Sequence, residues 1–301
     1  MIPFLQPHQV HHMGASASDS VASVATPASQ AVHPPVDLLW TGGWDSTFQL
    51  LQLLLLHRRE VVPHYLLDPT RPSTRAELAA MERIRDALFE KYPYTRQLLA
   101  PLQKFNVADL APDARVTDAF RRIVAERFIG SQYEWLARFR NQQGIAQLEL
   151  AAGHRGGRIQ GIIGRFVMQT DGGGYRTYRI SSQYRDTKEF LIFGGFSFPL
   201  FELGKSETAD IARERGWIDI LSMTWFCHKP HGAKPCGYCN PCLYAVDEGF
   251  GWRIPRGNRI KGAFYRRFVR PMKAPAKAAM RHLGLRKEGA PGDSLATKGG
   301  A

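Results

Sequence analysis

Four cysteines, and no others, fall in one short run: Cys227, Cys236, Cys239 and Cys242, in CHKPHGAKPCGYCNPC. The spacing C-x8-C-x2-C-x2-C gathers thiolates over two tight steps and closes the set with a longer excursion. Four soft sulfurs at about 2.3 Å from one ion give zinc a closed, structural tetrahedron. Disulfides fit less well, because the cluster has no outside cysteine to pair with and would bridge itself at strained separations. Reduced structural thiols are the remaining alternative. A closed site of this kind staples a fold and leaves the chemistry to be found elsewhere.

A second set of candidates lies far upstream. VDLLW (36–40) is apolar and β-leaning, Thr41-Gly42-Gly43-Trp44-Asp45-Ser46 follows, and Thr47 leads into FQLLQLLLL. A buried strand, a glycine turn and a helix N-terminus are the parts of a phosphate cradle. Glycines let backbone N–H groups approach the anion, and the helix dipole adds partial positive charge. Hydroxyls of Thr41 and Ser46 can donate to phosphate oxygens, and Asp45 can hold Mg²⁺. The order of residues is neither the Walker pattern G-x-x-x-x-G-K-S/T nor the dinucleotide pattern G-x-G-x-x-G. It resembles the Ser/Thr-Gly-Gly-x-Asp-Ser/Thr loop of the ATP pyrophosphatases, which split ATP to AMP and pyrophosphate. A plain strand-to-helix turn is the alternative.

The elements that must position these residues alternate along the chain. VVPHYLL (61–67) reads as a strand whose Pro63 argues for a sheet edge or a strand start. Ser73 is placed to cap a helix over 74–92, with Glu77 in reciprocal capping. Helices are expected over 117–128 and 132–152, and a strand over 158–166. Gly172-Gly173-Gly174 marks a loop or hairpin. A short helix over 206–215 stops at Gly216, and Asn240-Pro241 opens another, with Asn240 as cap and Pro241 at its first position. Strands separated by helices imply a mostly parallel sheet, with ligands at the carboxyl ends of its strands.

Composition narrows the classes. A chain of 301 residues with 44% hydrophobic content holds one large core or two small ones. No run approaches the ~18–20 apolar residues of a membrane span. The longest, at 190–201, is broken by Gly194, Gly195 and Pro199 and reads as buried strand and turn. The N-terminus lacks the basic and apolar regions of a secretory signal, and unpaired cysteines fit a reducing cytoplasm.

The net charge of +13 is local. Thirteen of the 40 Lys+Arg and two of the 27 Asp+Glu fall in 253–301, so 1–252 is nearly neutral. Residues 1–35 carry one acid, Asp19, among Ala, Ser, Val, His and Pro, and are expected to be disordered. The expected organisation is therefore a tail at 1–35, a domain at 36–252 and a basic tail at 253–301. In the last, basic residues alternate with Phe264, Tyr265, Phe268 and Met272, a pattern suited to weak, salt-sensitive nucleic-acid binding. An anionic membrane surface, or packing on the body or on a second subunit as in a homodimer, are the alternatives.

With both motifs placed, the chain resembles the 7-cyano-7-deazaguanine synthases, pyrophosphatase-loop enzymes of queuosine precursor synthesis. TGGWDST matches their ATP loop. The segment 199–250 matches their closing part, where a Pro-Leu, a Lys-x-Glu helix start at Lys205 and the zinc cysteines follow in this order. Arg140-Asn141 opening a helix, and Thr170-Asp171 with Tyr175 and Arg179, also align. The resemblance implies an α/β, Rossmann-like adenine nucleotide alpha hydrolase fold: a mostly parallel sheet flanked by helices, with a Cys₄ zinc subsite near the C-terminus. It implies that ATP activates a small-molecule carboxylate as an acyl-adenylate, that ammonia displaces AMP, and that a second activation dehydrates the amide to a nitrile. Structural Zn²⁺, Mg²⁺ and ATP as co-substrate follow. On this resemblance Thr41, Gly42, Gly43, Asp45, Ser46 and Thr47 hold the nucleotide. Lys205 neutralises phosphate charge, Arg140 clamps phosphate or carboxylate, and Asp171 and Arg179 meet the substrate.

Two segments depart from that family. Asp68-Pro69-Thr70-Arg71-Pro72 stands where it carries Tyr-Gly-Gln, and Arg176-Thr177-Tyr178 where it carries Pro-Asp-Cys. The missing aspartate is suited to accept protons from a guanine edge. Asp171 is its candidate substitute, or else a turn residue before three glycines. Three function classes follow: a deazapurine carboxylate synthase; a relative adenylating a tRNA base, a protein or another carboxylate; and an inactive nucleotide-binding interaction protein.

Overall fold

The computed structural model describes residues 33–272. The expectations for 1–32 and 273–301 lie outside the described residues. Strand β1 (Val36–Leu39) turns into helix α1 (Trp44–Leu51), which runs on through a wider π-type turn at Gln52–Leu56. Strand β2 (Val61–Leu67), helices α2 (Thr74–Lys91) and α3 (Thr95–Leu98), and strand β3 (Gln103–Asn106) follow. Next come α4 (Ala114–Glu126), α5 (Gln132–Gln142), the two-residue β4 (Leu148–Glu149), α6 (Arg158–Ile163) and the hairpin of β5 (Val167–Asp171) and β6 (Arg176–Ile180). The described chain closes with α7 (Lys188–Phe193), β7 (Phe196–Ser197), α8 (Lys205–Glu214), α9 (Ile218–Ser222), α10 (Asn240–Asp247) and α11 (Arg256–Phe264).

Five strands form one parallel sheet in the order β3-β2-β1-β4-β7, and β5-β6 stands apart as an antiparallel pair. The chain winds outward from β1 to β3, then returns to the other side of β1 at β4, which makes the β1/β4 junction the switch point of a doubly wound sheet. Successive β1 residues feed opposite faces. Leu38 packs with Phe48, Ile84, Leu88 and Trp217, while Leu39 packs against the cluster of Phe139, Ile163, Phe193 and Phe196. Each such side chain, fully buried, contributes about 1.5–3 kcal/mol.

Several elements differ from the sequence expectation. Pro63 lies in an interior strand, not at an edge. Val61 accepts from Ala100 N, so by alternation Pro63 also faces β3, and it does so where the pairing is interrupted between Val61–Leu99 and His64–Gln103. Its missing N–H therefore leaves no ladder bond broken. The helix expected over 132–152 stops at Gln142, because Gly144 turns the chain with φ +63° and Leu148–Glu149 joins the sheet. The segment 158–166 begins as a helix and not a strand, with Ile159, Ile162 and Ile163 buried at helical spacing. Part of 190–201 is likewise helix α7 before the short β7. Ser73 bonds the Glu77 carboxylate (2.6 Å) and makes no cap to the α2 backbone.

The four cysteines close a small third cluster with Ile254, against which Trp225, Phe226 and Phe250 pack. Residues beyond 252 also pack on this module. Asn258 donates to the Pro235 carbonyl (2.7 Å) and Arg266 pairs with Asp247 (2.7 Å). Gly262 approaches so closely that a Cβ there would meet the Gly237 carbonyl. On its outer side the same helical segment leaves Ile260, Phe264, Phe268 and Met272 exposed. Among the described residues no helix is long and apolar enough to cross a membrane.

Candidate active site

The cradle is built by backbone constraint. After β1 the chain turns at Gly42 with φ +67°, and a Cβ there would lie 2.9 Å from Met81 Cγ and 3.0 Å from the Glu77 carbonyl. Only glycine takes this position without strain. The Gly42 carbonyl accepts from Trp225 N (2.8 Å), which ties the turn to the cysteine module. Ser46 Oγ accepts from Thr41 N (3.2 Å), lies 3.2 Å from Thr41 Oγ1, and reaches the Gly43 carbonyl at 3.3 Å. No side chain caps α1, so the N–H groups of its first turn are without intrahelical partners at the cradle. Thr47 is turned the other way: fully buried, it accepts from Trp40 Nε1 at 3.1 Å.

The cradle opens on a cavity of about 490 Å³ at the carboxyl ends of β1 and β4, a size typical of small-molecule sites. Tyr133 and Trp135 of α5 form one wall, and Trp225, Phe226, Tyr244 and Phe250 of the cysteine module form another. Asp45 projects into it; its Oδ2 lies 3.2 Å from His154 Nε2, and His154 Nδ1 is 3.2 Å from the Leu203 carbonyl. Across the cavity, Glu77 accepts from Tyr65 (2.7 Å) and pairs with Arg71 at 3.5 Å. Burial, and then the Glu77 charge, raise the Tyr65 pKa. His228 is held below its usual range, mainly by burial and also by Arg71. Arg253 lines the cavity from the start of the expected tail and is pushed down to about 10 by burial. Its Nη2 donates to the Thr224 carbonyl and Oγ1, and its guanidinium lies 4.7 Å from the centre of the Phe226 ring.

Arg140, Asp171 and Arg179 do not line this cavity. Arg140 lies near the end of α5, not at a helix start. It bonds Asn141 and lines a separate hollow of about 220 Å³ with Asp113, Phe190 and Gly195. Asp171 is a turn residue, its Oδ1 accepting from Gly173 N (3.1 Å) and Gly174 N (2.9 Å). Arg179 sits on β6, where its charge acts on Glu149 and Tyr175. Lys205 is the first residue of α8, following Gly204, whose N–H donates to Glu207.

Sequence reasoning missed Glu149, His154, Arg71 and Arg253. Glu149 is buried on β4, accepts from Tyr175 (2.5 Å) and Gln49 (2.9 Å), and is pushed up to about 7 by desolvation. A lone acid in the apolar run LELAA was its available signal.

The cysteine sulfurs all lie within 4.8 Å of one another, with Cys236–Cys242 and Cys227–Cys239 at 3.9 Å. A tetrahedron of sulfurs around zinc has edges of about 3.8 Å, so the donor set fits such an ion. Cys236 N and Cys239 N donate to the sulfurs of Cys227 (3.2 Å) and Cys236 (3.3 Å), bonds that stabilise thiolate charge. The four cysteines are unpaired and could hold a metal.

No protein-family model matches the chain, and no curated protein matches it. Among solved structures it is similar to the U34-tRNA thiolase NcsA from Methanococcus maripaludis with its 4Fe–4S cluster. That likeness has 11% identity and a TM-score of 0.37, and covers 78% of this chain and 72% of that one. At such a level it carries no functional weight, and the site stands on its own geometry.

Proposed function

We propose that the protein is an ATP-using adenylating enzyme of the pyrophosphatase-loop type. The observation that carries this reading is the uncapped start of α1. It sits behind the Gly42 turn with Asp45 beside it, opening on the cavity at the β1/β4 switch point. First-turn N–H groups and the Thr41 and Ser46 hydroxyls would hold the phosphates. Asp45 would hold Mg²⁺, and the aromatic walls would stack planar groups. An acceptor oxygen attacks the α-phosphorus and releases pyrophosphate; an amine nucleophile then expels AMP from the activated acceptor. AMP makes a leaving group of an oxygen that carboxylate chemistry otherwise retains. The cysteines would hold structural zinc.

The deazapurine reading draws less support than another acceptor. Asp171 is engaged by its own turn, and neither it nor Arg179 lines the cavity, so no expected group meets a guanine edge there. The test is pyrophosphate release from MgATP against a panel of carboxylates, 7-carboxy-7-deazaguanine included, with ammonia. Release that depends on one acceptor identifies the substrate. An Asp45→Ala protein releasing pyrophosphate at the wild-type rate would sink the reading.

A further inference from the structure

We propose that Arg253 is an oxyanion-binding residue of the cavity, donating to a phosphate of the bound nucleotide. The assignment rests on the reading of the cradle as a nucleotide site. Two arginines line the cavity, and they differ in one respect. Arg71 has Glu77 at 3.5 Å, whereas Arg253 has no carboxylate within ion-pair distance among the described residues. A largely desolvated guanidinium without countercharge is costly, and an anion entering the cavity removes that cost. The side chain is also aimed. Nη2 is fixed by the Thr224 carbonyl and hydroxyl, and Phe226 covers one face. Nε and Nη1 have no protein acceptor among the described residues.

Position selects the source of the anion. The Thr224–Trp225 peptide donates its N–H to the Gly42 carbonyl, and its C=O accepts from Arg253. One planar peptide therefore separates the guanidinium from the cradle, a span of roughly 8 Å between Arg253 and the Gly42 oxygen. A polyphosphate seated on α1 lies within reach of the free donors. An acceptor carboxylate would offer the same oxyanion chemistry, so the two sources must be separated by measurement.

The experiment is calorimetric titration of the full-length, zinc-loaded protein with MgATP and with adenosine, for wild type, Arg253→Met and Arg253→Lys. The Met variant should bind MgATP at least tenfold more weakly with adenosine unaffected, and Lys should restore part of the loss. Zinc content and melting temperature monitor the fold, and the Lys variant preserves the test if Met unfolds. Equal MgATP affinity in wild type and Arg253→Met overturns the proposal. So does a loss confined to benzoate titrated in the presence of a non-hydrolysable ATP analogue, which would assign the guanidinium to the acceptor. Failure of wild type itself to bind MgATP would remove the reading of the cradle, a result distinct from either.

Discussion

Asp45 and Glu149 flank the switch point of the sheet, and their surroundings are opposite. Asp45, in the first turn of α1, leaves 34% of its side chain exposed and faces a cavity with His154 at hand. Glu149, on β4 itself, is 3% exposed and answers to Tyr175 and Gln49. The same functional group is thus left open to a cation and ligand in one place and sealed under a hairpin in the other. Burial decides which carboxylate can serve chemistry and which can only hold structure.

The largest effect should come from removing a wall of the open side. Cys239→Ser takes one ligand from a centre whose apparent binding energy is about 10–16 kcal/mol in small zinc domains. Metal analysis should find zinc lost and calorimetry a markedly lower melting temperature. Full zinc with unchanged melting would show that the thiols hold no metal. Asp45→Ala should lower pyrophosphate release by about 10²–10³-fold while leaving the melting temperature near wild type. A large drop in stability would erase the contrast with Glu149.

Glu149→Gln should do the reverse, leaving turnover intact and altering stability with pH. The Glu149 pKa rises from its ordinary 4.5 to about 7 in the folded protein, so the unfolded chain ionises first. Stability from the neutral carboxyl is complete below about 4.5 and is lost as pH rises through 7, amounting to roughly 3 kcal/mol. The Gln variant lacks this slope, and the Gln49 Oε1 left without a partner can meet its amide. Parallel melting curves for the two proteins between pH 4.5 and 7 would break the comparison.

Gly42→Ala should cost about 1–2 kcal/mol through its left-handed turn and weaken MgATP binding, read by titration. The smallest effect is expected from deleting 273–301. MgATP affinity should stay within about twofold, while retention on nucleic acid, measured against salt, should fall with the lost charge. A collapse of MgATP affinity on that deletion would extend the site beyond Arg253.

What the sequence made legible were features that declare themselves locally. The cradle and the cysteine run each fall within one short segment, and β1 and β2 are mostly apolar and each open on valine. The switch-point topology was expected only as a parallel sheet, since pairing order depends on long-range packing. The sequence reads as a strand over 158–166 although 158–163 is helical, because Gly161 and Gly164 interrupt an apolar run too short to fix its period. At two residues, β4 offers no alternation at all, which hid both Glu149 and the end of α5. Arg253 looked like the first charge of a tail. Its position came instead from tertiary contacts with Thr224 and Phe226, which no local pattern encodes.

The peptide joining Thr224 to Trp225 gives the molecule a thermodynamic symmetry. Its N–H serves the Gly42 turn, and Cys227 lies two residues beyond Trp225. Any free energy by which an ion ordering the thiolates improves the cradle must be returned, in equal amount, when a ligand occupying the cradle improves the ion's hold. Zinc affinity measured with and without MgATP then gives the factor by which zinc changes nucleotide affinity, taken from the far end of the same peptide.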